Sequence, residues 1–548
     1  MAHTIQGNLV DVIRRQTYPA SLTIEGEKII SVEPLGEAGL ARVPYILPGF
    51  IDAHVHIESS MLTPAEFARL AVVHGTVATV SDPHEIANVC GLKGVEFMIT
   101  DGRRVPFKFN FGAPSCVPAT PFETAGAELN ADDVASLLAK DEIRYLSEMM
   151  NFPGVLSADP AVMKKIAAAK KLGKPIDGHA PGLRGDEARR YIAAGISTDH
   201  ECFTKEEALD KLACGMKIII REGSAARNFD ALIDLLHDHE DDLMFCSDDK
   251  HPDSLVAGHI DLLCARAAER GIDYYKILKA ACVNPVRHYR LDCGLLRVGD
   301  AADLILVEDL KRFRVLKTFV DGKLVAENGE TLIKRLPALL PAVNKFSCGK
   351  KAPEAFRYDI DCNHQSTDVP VIEALDGQLI TKYCRAGLQV NDRQVMTDPA
   401  SDILKIAVVN RYSDVRPAIA FVKNFGLKRG AIASTVAHDS HNIVAVGADD
   451  DSICHAVNLL IELKGGVSCV DSRTSETLAL PVGGLMSNED GYEVARSYLA
   501  IDAMAKGLGS SLSAPFMTLS FMALLVIPHL KLSDKGLFDV DRFDFVSV

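Results

Sequence analysis

The strongest constraint on this chain is a regular alternation of apolar runs with helical segments. Between residues 47 and 290 eight short runs recur: LPGFIDAHVH (47–56), TVATVSDPHE (76–85), FKFNFGAPS (107–115), IRYLSEMMN (143–151), PIDGHA (175–180), ISTDHE (196–201), MKIIIREG (216–223) and DLMFCSDDK (242–250). Between them lie segments with helical spacing of apolar residues. PAVMKKIAAAKK (160–171), stopped by Gly173 and Pro175, is the clearest. Short runs that are apolar on both faces suit parallel strands covered by helices. Eight such units predict an α/β fold built on a (β/α)8 barrel, whose usual size is ~250 residues. An open doubly wound sheet is the competing architecture. It usually has fewer strands, and no G-x-G-x-x-G follows the first run.

The flanks have a different texture. Residues 1–46 read as short strands with a hairpin at Glu25-Gly26. Residues 291–340 return to short strands, with turns at Gly299-Asp300 and Asp321-Gly322. The two stretches are expected to pair as one small β domain that the barrel, 47–290, interrupts. Residues 341–548 form a third, mixed α/β region, with helices through ICHAVNLLIELKGG and YEVARSYLAIDAMAKG. A chain of 548 residues is too long for a single small core.

Ligand-type residues gather at the ends of the proposed barrel strands. His54 and His56 close the first run. Residues two apart in a strand point to one side, which presents two neutral nitrogens to one ion. Glu148 closes the fourth run, His179 the fifth, His200 the sixth and Asp248 the eighth. In barrels of this kind that end carries the chemistry. A lone histidine at a strand end has an ordinary hydrogen-bonding explanation. Six such residues, four of them histidine, point instead to a metal site. Their number suggests two ions, one held by His54, His56, Glu148 and Asp248, the other by His179, His200 and Glu148. The Glu148 carboxylate would bridge. Two ions roughly 3.5–4 Å apart lower the pKa of a shared water steeply. Nitrogen and oxygen donors without thiolate suit two divalent ions, Fe(II), Mn or Zn, and residue types alone do not choose among them.

The first-strand motif, the histidines of strands five and six and the aspartate of strand eight resemble the amidohydrolase superfamily. Members join a metal-bearing barrel to a split β-sandwich, and GDAADLILVEDL (299–310) is similar to the returning sandwich strand. Many binuclear members acting on cyclic amides carry a carboxylated lysine on strand four. Here strand four reads IRYLSEMMN, with Glu148 and no lysine. Further stretches resemble the adenine deaminase family of the bacterial type: HIESSM (56–61), VSDPHEIANV (80–89), SEMMN, GHAPG, TDHE, SDDKHP and AHDSHNIVAVG (437–447). The resemblance spans nearly the whole chain. It implies adenine as the small-molecule substrate, hypoxanthine and ammonia as products, and a homo-oligomer, a dimer.

In that reading a metal-activated hydroxide attacks carbon 6 of adenine, and a carboxylate takes and returns the proton. Asp248 is expected to be that shuttle and Glu148 the bridge. Glu58, Asp82, His84 and Glu85 either contact the purine and orient the ligands or cap the following helices. Ser59 and Ser60 are placed to cap the PAEFARL helix. Of Asp249, Lys250 and His251, either one contacts substrate or they form a solvated loop, and a role at the site is expected for Asp249 only. His438, Asp439 and His441 either reach the barrel mouth from the third region or form a local turn. The alternatives are another amidohydrolase acting on a cyclic amide or a different aminated heterocycle, and a non-catalytic purine- or metal-binding protein on this scaffold.

Composition narrows the partners. A net charge of −15 argues against nucleic acid and membrane surfaces, both anionic. The run FMTLSFMALLVIPHL (516–530) is short for a bilayer span and reads as buried core. MAHTIQGNLV lacks a basic, apolar leader, and thirteen scattered cysteines form no C-x-x-C, which fits a reducing cytoplasm. Neither the H-x-E with P-C-x-x-C pattern of zinc nucleobase deaminases nor a Walker loop or G-x-S-x-G elbow occurs.

Overall fold

The computed structural model describes residues 2–36, 43–360 and 365–546. Each of the eight runs contains a strand. Phe50–Val55, Thr76–Ser81, Lys108–Ala113, Ile143–Met149 and Ile176–Gly178 form one parallel sheet. Thr198–Asp199, Lys217–Arg221 and Leu243–Cys246 form a second. Two seams join them. Ser197 N–H donates to Ile176 O at 2.9 Å, and Asp248 N–H to His54 O at 3.0 Å, beside a parallel bridge from Val55 to Asp248. The eight strands therefore close into a ring.

The ring holds because its strands are buried on both faces, as their apolar runs require. A polar lock fixes the last strand on the first. Asp52 accepts from Ser247 N–H at 2.9 Å and faces His259 Nε2 at 2.8 Å, while His259 Nδ1 meets Thr76 Oγ1 at 2.7 Å. Helices cover the outside. Pro160–Lys171 starts at an Asp159 side chain that accepts from Ala161 and Val162 N–H and stops at Gly173, whose φ of +64° favours glycine.

The first strand begins later than its sequence suggests. Leu47 and Pro48 belong to the strand Tyr45–Pro48, which pairs with His3–Asp11 on one side and Leu304–Val307 on the other. That sheet continues through Gln16–Glu25 and Lys28–Pro34 at one edge and Val315–Val320, Lys323–Glu327 and Glu330–Thr331 at the other. Segments before and after the barrel thus share one eight-stranded sheet. Gly49 makes the crossing into the barrel possible, since a Cβ there would lie 2.4 Å from both Val77 methyls.

The rest of the chain builds a nine-stranded sheet, including Ile403–Val409, Ala431–Ser434 and Ile443–Gly447, with helices Asp450–Leu463 and Gly491–Gly507. The apolar run at 516–530 forms the short helix Pro515–Ser520 and a tight turn Phe521–Ala523, both buried. Among the described residues, no helix is long and apolar enough to cross a membrane.

Candidate metal centre at the barrel mouth

The strand ends converge as their positions require. His54 ends its strand one residue from the last, and His56 lies just past it at the start of the turn Ile57–Ser60. Their Nε2 atoms nevertheless stand 3.2 Å apart. Asp248 Oδ1 lies 3.6 Å from His54 Nε2 and 3.3 Å from His56 Nε2. Glu148 Oε1 lies 4.0 Å from His54 Nε2 and 3.3 Å from His56 Nε2. The other Glu148 oxygen, Oε2, faces His179 Nδ1 at 2.7 Å and His200 Nε2 at 3.3 Å. One carboxylate therefore faces both histidine pairs, each with a different oxygen. All six side chains are buried.

Donors sharing one ion at about 2.1 Å stand roughly 3–4.2 Å apart, which is the spacing found here. The electrostatics agree. Burial opposes charge on Glu148, yet His179, His200 and His56 hold its carboxyl well below the usual range. Burial likewise opposes charge on Asp248, and Arg221 and His56 outweigh it. Burial alone would keep His56 neutral, but the Asp248 and Glu148 carboxylates lift its pKa well above the ordinary imidazole value. Buried carboxylates that draw protons onto histidines mark a place that favours positive charge, which a divalent metal supplies. The donor set fits such an ion.

Two participants escaped the sequence reading. Arg221 ends the seventh strand, fully buried. Its Nη1 donates to Asp248 Oδ2 at 2.8 Å, and it grips Glu201 with both terminal nitrogens, Nη2 to Oε2 at 2.9 Å. Glu201 Oε1 lies 3.6 Å from His179 Nδ1 and 3.4 Å from His200 Nε2. Burial works against the Glu201 charge, but Arg221 and His179 bring its pKa down to about 2. The available signal was positional: Arg221 closes the run KIII at a strand end, as the candidate ligand residues do.

The residues with two open roles are also at the mouth. Asp82 Oδ2 lies 3.1 Å from His84 Nδ1, and the Asp82 carbonyl lies 3.2 Å from His56 Nδ1, orienting that ring. His84 Nδ1 is 3.5 Å from Glu148 Oε1. Glu58 accepts from Ile86 N–H at 3.1 Å, and burial raises its pKa to about 7. The expected capping by Ser59 and Ser60 does not occur. Ser59 Oγ donates to Asp249 Oδ1 at 2.5 Å and Ser60 Oγ to Ile57 O at 2.6 Å. Helix Pro64–Ala71 instead has its Ala65 N–H bound by Asp101 at 2.8 Å, so the carboxylate that satisfies it comes from a neighbouring helix. Lys250 and His251 are buried, not solvated; His251 Nδ1 meets Tyr498 Oη at 2.6 Å.

The third region completes the cavity. His438 Nδ1 lies 2.5 Å from Glu85 Oε1, and His441 Nε2 contacts Glu85 Oε2. Phe521 stacks on His438, ring centroids 4.4 Å apart and planes within 13°. Leu379, Phe521 and Leu524 line a narrow cavity together with His56, Glu148, His179, His200 and Asp248.

Comparison with known proteins agrees with this geometry. Residues 45–325 match the amidohydrolase family, and residues 378–544 match the adenine deaminase C-terminal domain. The chain is 55% identical over 545 residues to a protein named adenine deaminase from Salinibacter ruber, covering 99% of this chain and 98% of that one. One of the same name from Sulfurovum is 55% identical, covering 99% of each chain. One from Methanosarcina barkeri is 52% identical, covering 100% of this chain and 99% of that one. A closed parallel barrel with histidines and carboxylates converging at its mouth, roofed by a C-terminal region that matches in its own right, makes this chain a member of the adenine deaminase family within the amidohydrolases.

Proposed function

We propose that the chain is an adenine aminohydrolase whose paired divalent ions are held by His54, His56, Glu148 and Asp248 on one side and by His179, His200 and Glu148 on the other. The observation that carries this is the split of the Glu148 carboxylate, Oε1 towards His54 and His56 and Oε2 towards His179 and His200. Mn or Fe(II) fits this nitrogen–oxygen set, with Zn as the alternative. When bound, such a pair supplies a water deprotonated near neutral pH. Asp248 Oδ1 faces that position and accepts the proton there, while Arg221 fixes Oδ2 and prevents the carboxylate from rotating away. The water oxygen bonds to carbon 6 as that proton is returned to the adjacent ring nitrogen; the remaining hydroxyl proton then passes to the amino group, the carbon–nitrogen bond breaks and ammonia leaves as the C6 carbonyl forms. Leu379, Phe521 and Leu524 keep bulk water from the ring, and Phe521 offers it an aromatic face. Dimer formation rests on the family resemblance and is checked by sedimentation.

The test is steady-state release of ammonia from adenine by protein stripped with a chelator and reloaded with Mn, Fe(II) or Zn, against hydantoin as the cyclic-amide control. Turnover of adenine, restored only by metal, is expected. Turnover of hydantoin and not of adenine would overturn the reading.

A further inference from the structure

We propose a third divalent-cation site beside the paired centre, with His84, Glu85 and Asp439 as its protein ligands. His84 Nε2 lies 3.3 Å from Glu85 Oε1 and 3.8 Å from Asp439 Oδ1. One donor atom from each residue lies within 4.8 Å of the others. The two His84 separations are again those of donors around a shared ion at about 2.1 Å. None of the three residues belongs to the set assigned to the paired ions.

Two further observations point to a ligand. First, all three side chains are buried, yet Asp439 Oδ2 has no hydrogen-bond partner, and neither does His438 Nε2 beside it. A buried carboxylate oxygen left unmatched costs free energy unless something charged meets it. Second, Glu85 is oriented from behind by His438 and His441, one on each oxygen. Partners of this kind fix the aim of a ligating carboxylate.

Charge balance gives the same answer. Six carboxylates line the cavity, Glu85, Glu148, Glu201, Asp248, Asp249 and Asp439, and Arg221 is the one arginine or lysine among its lining residues. Two divalent ions with Arg221 still leave the wall negative, and Glu85, Asp249 and Asp439 are the carboxylates outside the paired set that no arginine meets. Uncompensated buried charge is strongly destabilising. Either a cation or protons on His84 and His438 can offset it. The donor spacing and the unmatched Asp439 oxygen favour the cation, and one imidazole with two carboxylates suits Mn, Fe(II) or Zn. The ion would tie helix His84–Cys90 of the barrel to the C-terminal region at Asp439.

The experiment uses the full-length protein loaded with Mn, dialysed and crystallised, with anomalous diffraction measured on both sides of the Mn absorption edge. The expected result is three peaks per chain, the third between His84, Glu85 and Asp439, and three Mn equivalents by elemental analysis. Asp439→Asn should lower the content to two equivalents while leaving the two peaks beside Glu148. Wild-type protein with peaks beside Glu148 only would overturn the third site and assign the charge balance to protons on the histidines. A peak at His84 with none beside Glu148 would support it and refute the paired-ion reading, so the two claims fail separately.

Discussion

Asp248→Asn separates the two duties of one carboxylate. Asp248 Oδ1 faces His54 and His56 at 3.6 and 3.3 Å, while Oδ2 accepts from Arg221 at 2.8 Å. The residue sits at φ +54°, a left-handed conformation that Asp and Asn tolerate better than other non-glycine residues, so the backbone is expected to stay. Asparagine matches the shape but offers a single oxygen. If that oxygen turned from Arg221, two sets of N–H donors would face each other, because guanidinium only donates. Losing a hydrogen bond to a charged group costs ~1.5–3 kcal/mol. The oxygen therefore stays on Arg221, and the amide nitrogen faces the ligand side, where it takes no proton. A positioned acid–base group contributes roughly 10²–10⁴-fold. We expect kcat on adenine to fall about a thousandfold, or ~4 kcal/mol of barrier. The assay is initial-rate ammonia release after reloading with Mn, with metal content measured on the same sample. Equal metal content with turnover within tenfold of wild type would refute Asp248 as the proton acceptor.

Arg221→Met strands two buried carboxylates and should destabilise the barrel by about 3–5 kcal/mol, read as a lower thermal midpoint; Arg221→Lys, lacking the planar fork, should recover only part of it. Phe521→Ala removes the aromatic roof over His438 and should raise KM for adenine more than it lowers kcat, which substrate-saturation curves resolve. Lys531 is buried between Leu379 O and Phe521 O, at 2.7 and 2.9 Å, and burial brings its pKa down to about 7. Its folded pKa lies below the unfolded value of about 10.4, so its contribution is full above pH ~10.4 and is lost as pH falls towards 7. Lys531→Met should therefore flatten the rise in stability between pH 7 and 10, measured by urea unfolding at several pH values; an unchanged slope would refute the shift.

How much of this was legible in the sequence depends on the range of each interaction. The barrel strands were readable because a strand buried on both faces must be apolar along its whole length, and that pattern is local. The candidate ligands could be picked out because His54, His56, Glu148, His179, His200 and Asp248 each lie at or just past a strand end, and closure of the ring brings such ends together. Ser59 and Ser60 do not cap the helix because they lie in the separate turn Ile57–Ser60, and a carboxylate from another helix, Asp101, accepts from Ala65 N–H.

By itself the sequence determined the ring of strands and the chemical character of its mouth, since both follow from periodicity and residue type. Only the tertiary structure decided that Arg221 clamps Asp248 and Glu201, and that His438 and His441 hold Glu85. The latter contacts join residues more than 350 positions apart. No periodicity within a segment encodes them, because they form only when the C-terminal region packs its buried turn onto the barrel mouth.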